Sequence, residues 1–243
     1  MVGLAAGGGV RRSPEGVWRW AEVTVGGWRV REDLGMRHTP HYLLEDPHEV
    51  RRLIRENPWA TIVSSTSKGL VASHYPVVLE EPTADAPDAI SVVSHVGRPD
   101  EQLHELGRHE VLVIIQGPHG YVSPGWYGND ELVPTWNHVT AHLYGTPEIL
   151  SDEENFRVLG ALVDQFERPL PAPRTLSVDE HQARRIARGT VGLRLVVTRF
   201  DARAKLSQNK QPEVVSRIVD HLEHDEHYAQ PGLAQEMRRA HGL

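Results

Sequence analysis

The chain has 243 residues, 39% of them hydrophobic, enough for one domain of moderate size with a packed core. Its formal charge of −7 at pH 7 and pI near 6.1 argue against a large nucleic-acid surface, which needs clustered Lys and Arg. Cysteine is absent, which excludes disulfides, thiolate nucleophiles and Cys-ligated zinc. No apolar run reaches the roughly 20 residues of a membrane-spanning helix. The N-terminus lacks the basic start and apolar stretch of a signal peptide, so a cytoplasmic protein is expected.

Residues 1–35 read as an extension outside the domain, with the natural start placed at Met36. They hold Gly7-Gly8-Gly9 and three of the six Trp residues. They suggest one ordered feature, a hairpin whose arms are 17–25 and 28–30, turning at Gly26-Gly27. The domain is expected over 36–223, followed by a polar tail over 224–243 whose last twenty residues read as helical or frayed. At its start, Asp46-Pro47-His48-Glu49 supplies an N-cap, a proline at the first helical position and a glutamate two positions later, a capping-box arrangement. Val50, Leu53 and Ile54 give the helix its apolar face, and Asn57-Pro58 ends it.

Strands are predicted over 59–64, over 70–79 past a turn at Lys68-Gly69, and over 90–96, with a short helix over 99–106. The apolar run 111–115 predicts a strand that meets a turn at Gln116-Gly117-Pro118. A long loop follows, carrying His119, Tyr121, Ser123, Trp126 and Tyr127, and a second strand-like segment begins after Pro134. Loops of that length in a compact domain are functional or disordered, and this one is too aromatic for disorder. It is expected to line a ligand. Residues 138–150 alternate, with Val139, Ala141 and Leu143 on one face and His138, Thr140, His142 and Tyr144 on the other.

Ser151 or Asp152 caps a helix carrying Phe156, Leu159, Leu162, Val163 and Phe166, which Pro169 to Pro173 breaks. Ser177-Val178-Asp179-Glu180 reads as a capping box opening a short helix to Arg188. A final long strand is predicted over 191–200. A helix starting at Pro212 carries Val214, Val215, Ile218, Val219 and Leu222 at helical spacing. Several strands on hairpin-length connections, interrupted by a few helices, give a mainly β, α+β fold: an antiparallel barrel with helical additions.

Fifteen His residues raise a metal site, and spacing argues against it. On a strand, His138 and His142 are about 13 Å apart, too far to chelate one ion. His221, His224 and His227 read as a solvated helix face. Fingerprints of metalloproteases, serine hydrolases, phosphate-binding loops and dinucleotide-binding folds are all missing, and no catalytic residue is assigned. Tyr121, Trp126 and Trp136 suit packing on a flat ring system, beside Ser123, Thr135, Asn137 and His119. His74 and His95 sit inside predicted strands, where each is either a satisfied structural histidine, a hydrogen-bond donor to a cofactor, or an iron ligand. Lys205 is either a solvated turn lysine or an anion contact.

Six blocks of this chain resemble the PaiB family of FMN-binding negative transcriptional regulators. They are Glu45-Asp46-Pro47 through Asn57-Pro58-Trp59-Ala60-Thr61; Ser73-His74-Tyr75-Pro76; Ser94-His95-Val96; Gln116-Gly117-Pro118-His119-Gly120-Tyr121-Val122-Ser123-Pro124; Val133-Pro134-Thr135-Trp136-Asn137; and Lys205-Leu206-Ser207-Gln208-Asn209. The resemblance implies a split β-barrel with FMN at a homodimer interface. It also implies a cofactor site drawn from His74, His95, Gln116, His119, Tyr121, Ser123, Trp126, Thr135, Trp136, Asn137, Lys205, Ser207 and Gln208. Two positions depart from the family pattern: Gly120, where a small residue with a β-carbon is usual, and His138, where an aromatic is. The family's relatives include heme-dependent piperazate synthases, which form a nitrogen–nitrogen bond, and heme would make His95 the iron ligand. The resemblance leaves a negative regulator or a flavin-linked oxidoreductase as the expected role, with a DNA-binding repressor without cofactor chemistry as a further alternative. The residues support that alternative only weakly, since they offer no helix-turn-helix with a basic recognition helix.

Overall fold

The structure, a computed structural model, describes residues 10–12, 18–20, 39–128 and 132–243. The chain divides into two units, Met1–His38 and Thr39–Leu243. In the first, β1 (Val10–Arg12) pairs antiparallel with β2 (Trp18–Trp20), Val10 opposite Trp20. The expected turn at Gly26-Gly27 and the arm 28–30 lie outside the described residues.

The second unit is built on two antiparallel sheets. A five-stranded sheet runs β11 (Arg199–Lys205), β8 (Thr135–Gly145), β7 (Val111–Val122), β3 (Trp59–Thr66), β4 (Gly69–Pro76). A four-stranded sheet runs β5 (Val78–Leu79), β6 (Ser91–Gly97), β10 (Thr190–Val196), β9 (Glu148–Ile149). Three times the chain leaves one sheet and enters the other within three residues: β4 to β5, β8 to β9, and β10 to β11. The predicted strands 70–79, 138–150 and 191–200 are therefore each split in two. Pro76 and Pro147 interrupt two of the ladders, having no N–H to donate. The result is the split barrel that the blocks implied.

Apolar side chains point inward from both sheets. Ala60, Ile62, Val113, Ile115, Ala141 and Leu143 are 0–2% exposed. Helix α1 (Pro47–Glu56) closes one end, capped by Asp46, whose carboxylate accepts from His48 N at 2.9 Å. Glu49 does not complete the box; it pairs with Arg52 instead. Val50, Leu53 and Ile54 are wholly buried there, each worth roughly 1.5–3 kcal/mol. Helix α2 is Arg98–Leu103. Helix α3 (Asp152–Glu167) opens on a reciprocal capping box between Ser151 and Glu154, and its Val158 and Leu162 pack on Val93 and Leu150. Helix α4 (Glu180–Ala187) is capped by Asp179 rather than by Ser177, because Ser177 is already bonded to Thr175 in the preceding turn.

Helix α5 (Pro212–His224) packs its five expected apolar residues into the main core. Helix α6 (Pro231–His241) lies where a polar tail was expected. Its Leu233, Ala234 and Met237 are 0% exposed and belong to that same core. Glu236 fastens it to α1 through a two-pronged pair with Arg52, at 2.7 and 2.8 Å, the geometry in which such pairs are strongest.

A buried polar chain ties β3, β4 and α2 together. Ser64 Oγ donates to His104 Nδ1 at 2.8 Å, His104 Nε2 donates to Ser73 Oγ at 3.0 Å, and Ser73 Oγ and Tyr75 Oη both donate to Asp100 at 3.2 and 2.6 Å. The donation from Ser73 to Asp100 fixes the tautomer of His104, which is 1% exposed.

Two outcomes follow from this packing. Removing residues 226–243 deletes three fully buried side chains, and losing each Leu or Met costs roughly 2–5 kcal/mol against a typical domain stability of about 5–15 kcal/mol. The truncated chain is expected to lose its cooperative thermal transition by circular dichroism; an unchanged transition temperature would contradict the role of α6. Burial also holds His104 below its ordinary value, which is about 6.5. The unfolded chain therefore takes up a proton that the native site resists. Stability from this group is complete above about pH 6.5 and declines as pH falls towards the native value. Denaturant titrations between neutral and mildly acid pH should show that decline, and show it flattened in His104→Gln.

Candidate functional site

One irregularity sets the geometry of the outward face of the five-stranded sheet. Gln116 pairs with Thr140 and His119 with His138, so three steps along β7 match two along β8. The extra residue lies at Gly117-Pro118, a β-bulge. The turn expected there does not form. The strand continues to Val122, and the connecting loop shortens to 123–134, because a bulge absorbs both the missing N–H of Pro118 and the tight approach at Gly117. A Cβ on Gly117 would lie 2.6 Å from Leu53 Cδ1 of α1.

On both sides of the bulge, rows of side chains run across the sheet on its outer side. Val63, Leu112, Tyr144 and Arg199 form one row, and Thr61, Ile114, His142 and Asp201 the next. Gln116, Thr140 and Arg203 follow, then His119, His138 and Lys205, and finally Tyr121 with Trp136. Val63, Leu112 and Ile114 are half-buried in the chain on its own. At the far end Trp136 is 57% exposed, stacks on His119 with centroids 6.5 Å apart, and meets the ring of Tyr121, which in turn meets Tyr228 at 5.2 Å. Lys205 Nζ donates to the carbonyl of Trp136 at 2.9 Å and to Thr135 Oγ1.

Electrostatics favour the neutral form of two imidazoles on this face, His138 and His142. Burial first, then the nearby charges of Lys205 and Arg203, hold His138 low, and burial does the same for His142. Burial also lowers Lys205. The face thus offers an apolar floor, flat rings at one end, the neutral imidazoles of His138 and His142, and a lysine. Such a set suits a planar aromatic body with an anionic tail.

The expected residues other than His95 divide into three groups. His74, Gln116, His119, Tyr121, Thr135, Trp136 and Lys205 share this sheet, with His74 bonded to Thr61 Oγ1 at 2.9 Å and stacked on Trp59. Asn137, Ser207 and Gln208 lie behind it. Asn137 is wholly buried, its Nδ2 donating to Ser207 Oγ at 2.9 Å beside Met237, and Gln208 accepts from Leu206 N at 2.7 Å within its own turn. Ser123 caps the 3-10 turn Pro124–Trp126, and Trp126 is buried with its ring 4.9 Å from that of His221. His221, His224 and His227 do not converge. Among the described residues no group of three His, Asp or Glu is placed to hold a metal ion, and no helix is long and apolar enough to cross a membrane.

His95 stands apart, on β6 of the other sheet. It lines a cavity of about 390 Å3 with Leu159, Val163, Leu176 and Ile186. Its Nδ1 is buried and has no hydrogen-bond partner among the described residues. Val63, Leu112, Ile114 and Tyr228 did not emerge from the sequence. A signal existed for two of them: 111–115 is apolar at every position, the pattern of a strand covered on both faces.

Residues 36–199 match the family model described as "Putative FMN-binding domain". The chain is similar to the "Protease synthase and sporulation protein PAI 2" of Bacillus subtilis, 26% identical over 191 residues that cover 76% of this chain and 88% of the relative. It is similar to the yeast protein YKL070W of Saccharomyces cerevisiae, 33% identical over 110 residues that cover 42% of this chain and 63% of that one. Among solved structures, it is similar to an FAD and heme binding protein from Mycobacterium smegmatis, 17% identical, covering 70% of this chain and 76% of that one, with a TM-score of 0.48. With 36–199 of its 243 residues inside the family model, and in agreement with the six blocks, the chain belongs to the PaiB family of FMN-binding domain proteins.

Proposed function

We propose that this protein binds FMN on the outward face of the five-stranded sheet, as a cytoplasmic homodimer in which a second copy covers that face, and acts as a flavin-linked oxidoreductase. The observation that carries the reading is the meeting of half-exposed Val63, Leu112 and Ile114 with Trp136, His119 and Lys205 on one sheet face. A row of apolar side chains left half in water in a single chain favours a covered surface. Lys205 and Thr135 would take the phosphate, while Trp136, Tyr121 and His119 would flank the ring system. A bound flavin supplies hydride and single-electron transfer, and the protein supplies orientation and electrostatics. A role as a negative regulator, under this reading, works through the flavin or a partner protein. The charge of −7 gives the chain no evident grip on DNA.

Heme is the other group the family's relatives raise, through His95. The cavity there fits it less well. A ligating imidazole is held by a hydrogen bond from its second nitrogen, and His95 Nδ1 has none. Heme also brings two propionates, whereas the lining carries one arginine, Arg174, together with Asp179.

Titration of the purified chain with FMN, followed by flavin fluorescence, should saturate with a dissociation constant on the order of micromolar. Lys205→Ala should weaken it about tenfold, the value of one charged hydrogen bond. Ile114→Asp should abolish both flavin binding and the dimer seen by size-exclusion chromatography. A chain that stays monomeric and ignores flavin would sink the proposal. A mobility-shift assay near physiological salt should show no salt-dependent DNA binding.

A further inference from the structure

Helix α3 carries two apolar stripes. Val158 and Leu162 pack on the four-stranded sheet. Leu159 and Val163, one residue further on, remain half-buried and form one wall of the cavity beside His95. The opposite wall is Leu176 and Val178 of the turn Leu176–Asp179, together with Ile186 of α4. Val178 is 76% exposed and Ile186 65% exposed, although both face a concave surface. Exposed apolar residues scattered singly need no account, but a cluster rimming a cavity marks a ligand or partner. A volume near 390 Å3 falls within the usual range for small-molecule sites, roughly 300–1,000 Å3.

Three polar groups in the lining lack partners among the described residues: the imidazole of His95, the guanidinium of Arg174 and the exposed carboxamide of Gln182. His95 is half-buried with no hydrogen bond to either ring nitrogen, and its Nδ1 is out of reach of solvent. Burial favours its neutral form, so it can donate from one nitrogen and accept at the other. A buried polar atom left unsatisfied is uncommon and calls for a reason. Arg174 stands at the exposed side of the cavity. Its backbone N–H donates to Glu167 at 2.9 Å, and its guanidinium forms no ion pair there. Thr190 Oγ1, by contrast, already donates to the carbonyl of Ala187 at 2.8 Å.

We infer that this cavity is a second binding site, separate from the sheet face, for a small hydrophobic carboxylate with one further hydrogen-bonding group. Its apolar body lies between α3 and α4, its carboxylate pairs with Arg174 at the rim, and its second polar group meets His95. Charge selects the class. Asp179 also lines the cavity, but its carboxylate already accepts from Gln182 N at 2.9 Å as the cap of α4. Arg174 is therefore the charge left without a partner among the described residues, and a carboxylate rather than an amine meets it. The apolar walls reject sugars and free phosphates, whose hydroxyls and charges would be stripped of water without replacement. The site does not depend on flavin.

The test uses the full-length protein and two acids, 4-hydroxyphenylacetate and phenylacetate, by isothermal titration calorimetry with and without FMN. Saturable binding of one acid per chain is expected, tighter for the hydroxylated acid, and indifferent to FMN. Arg174→Gln should raise both dissociation constants about tenfold while leaving the neutral amide of phenylacetate unaffected. His95→Phe should remove the advantage of the hydroxyl. Ile186→Ser, at an exposed position that leaves the fold intact by circular dichroism, should weaken both acids. Absence of saturable binding overturns the inference, as does binding that ignores both Arg174→Gln and Ile186→Ser. Hemin uptake with a Soret band that vanishes in His95→Phe would also overturn it, by giving the cavity to heme. Failure of FMN to bind while the acids still do would sink the flavin reading alone.

Discussion

The outward face depends on one extra residue in β7. Side chains on a strand alternate, so every position beyond Gln116 has its facing set by whether the bulge at Gly117-Pro118 is present. Without it, His119 and Tyr121 would point into the barrel, and Gly120 and Val122 outward. With it, His119 lies opposite His138 and Tyr121 opposite Trp136, all on the outer side with Gln116. The bulge is held in turn by α1. Leu53 of α1 occupies the space a side chain at 117 would need, and the carbonyl of Val139 closes it from the other side at 3.1 Å. Glycine at 117 is the condition for that contact, and proline at 118 has no N–H to pull the segment back into the ladder.

The back of the same face is set by α6. A Cβ on Gly120 would come within 3.1 Å of both Gln230 and Leu233. The missing side chain at 120 lets the C-terminal helix approach. Asn137 makes the same connection from the other strand, spending its amide on Ser207 and on the sulfur of Met237. Ser207 is held at φ 63, a left-handed conformation that a non-glycine residue adopts at a cost. Asn137 and Ser207, expected among cofactor contacts, support the sheet from behind. His138, by contrast, faces outward opposite Lys205, where a ligand on the sheet would meet it.

Local chemistry was legible in the sequence. Asp46, Ser151 and Pro212 each open a helix in the place their side chains dictate, and 138–144 alternates as its residues require. Relations that depend on a distant partner were not. The bulge reads as a turn because Gly-Pro usually makes one, and only the register against β8 shows otherwise. Helix α6 reads as a polar end, helical or frayed, because Leu233, Ala234 and Met237 are three apolar residues among charged ones. Their depth comes from packing on α5 and β7, not from composition. The block Lys-Leu-Ser-Gln-Asn reads as one unit, yet the fold sends Lys205 to the outer face and buries Leu206 and Ser207.

Strand β4 joins the two candidate sites. His74 and Tyr75 are consecutive, so they project to opposite sides of it. His74 lies on the outer sheet with Thr61 and Trp59. Tyr75 meets the ring of His95 edge-on with centroids 6.2 Å apart, and its hydroxyl is held by Asp100 and by the N–H of Gly97. Ser73, just before them, belongs to the buried chain through His104 to Ser64. A shift of β4 along its axis would therefore move a residue of the flavin face and the tyrosine beside the carboxylate cavity together, and would strain a polar chain with no spare partner. That chain makes β4 stiff, and a strand held in one arrangement offers no second state for either site to select, so the two sites stay independent although one strand runs beside both.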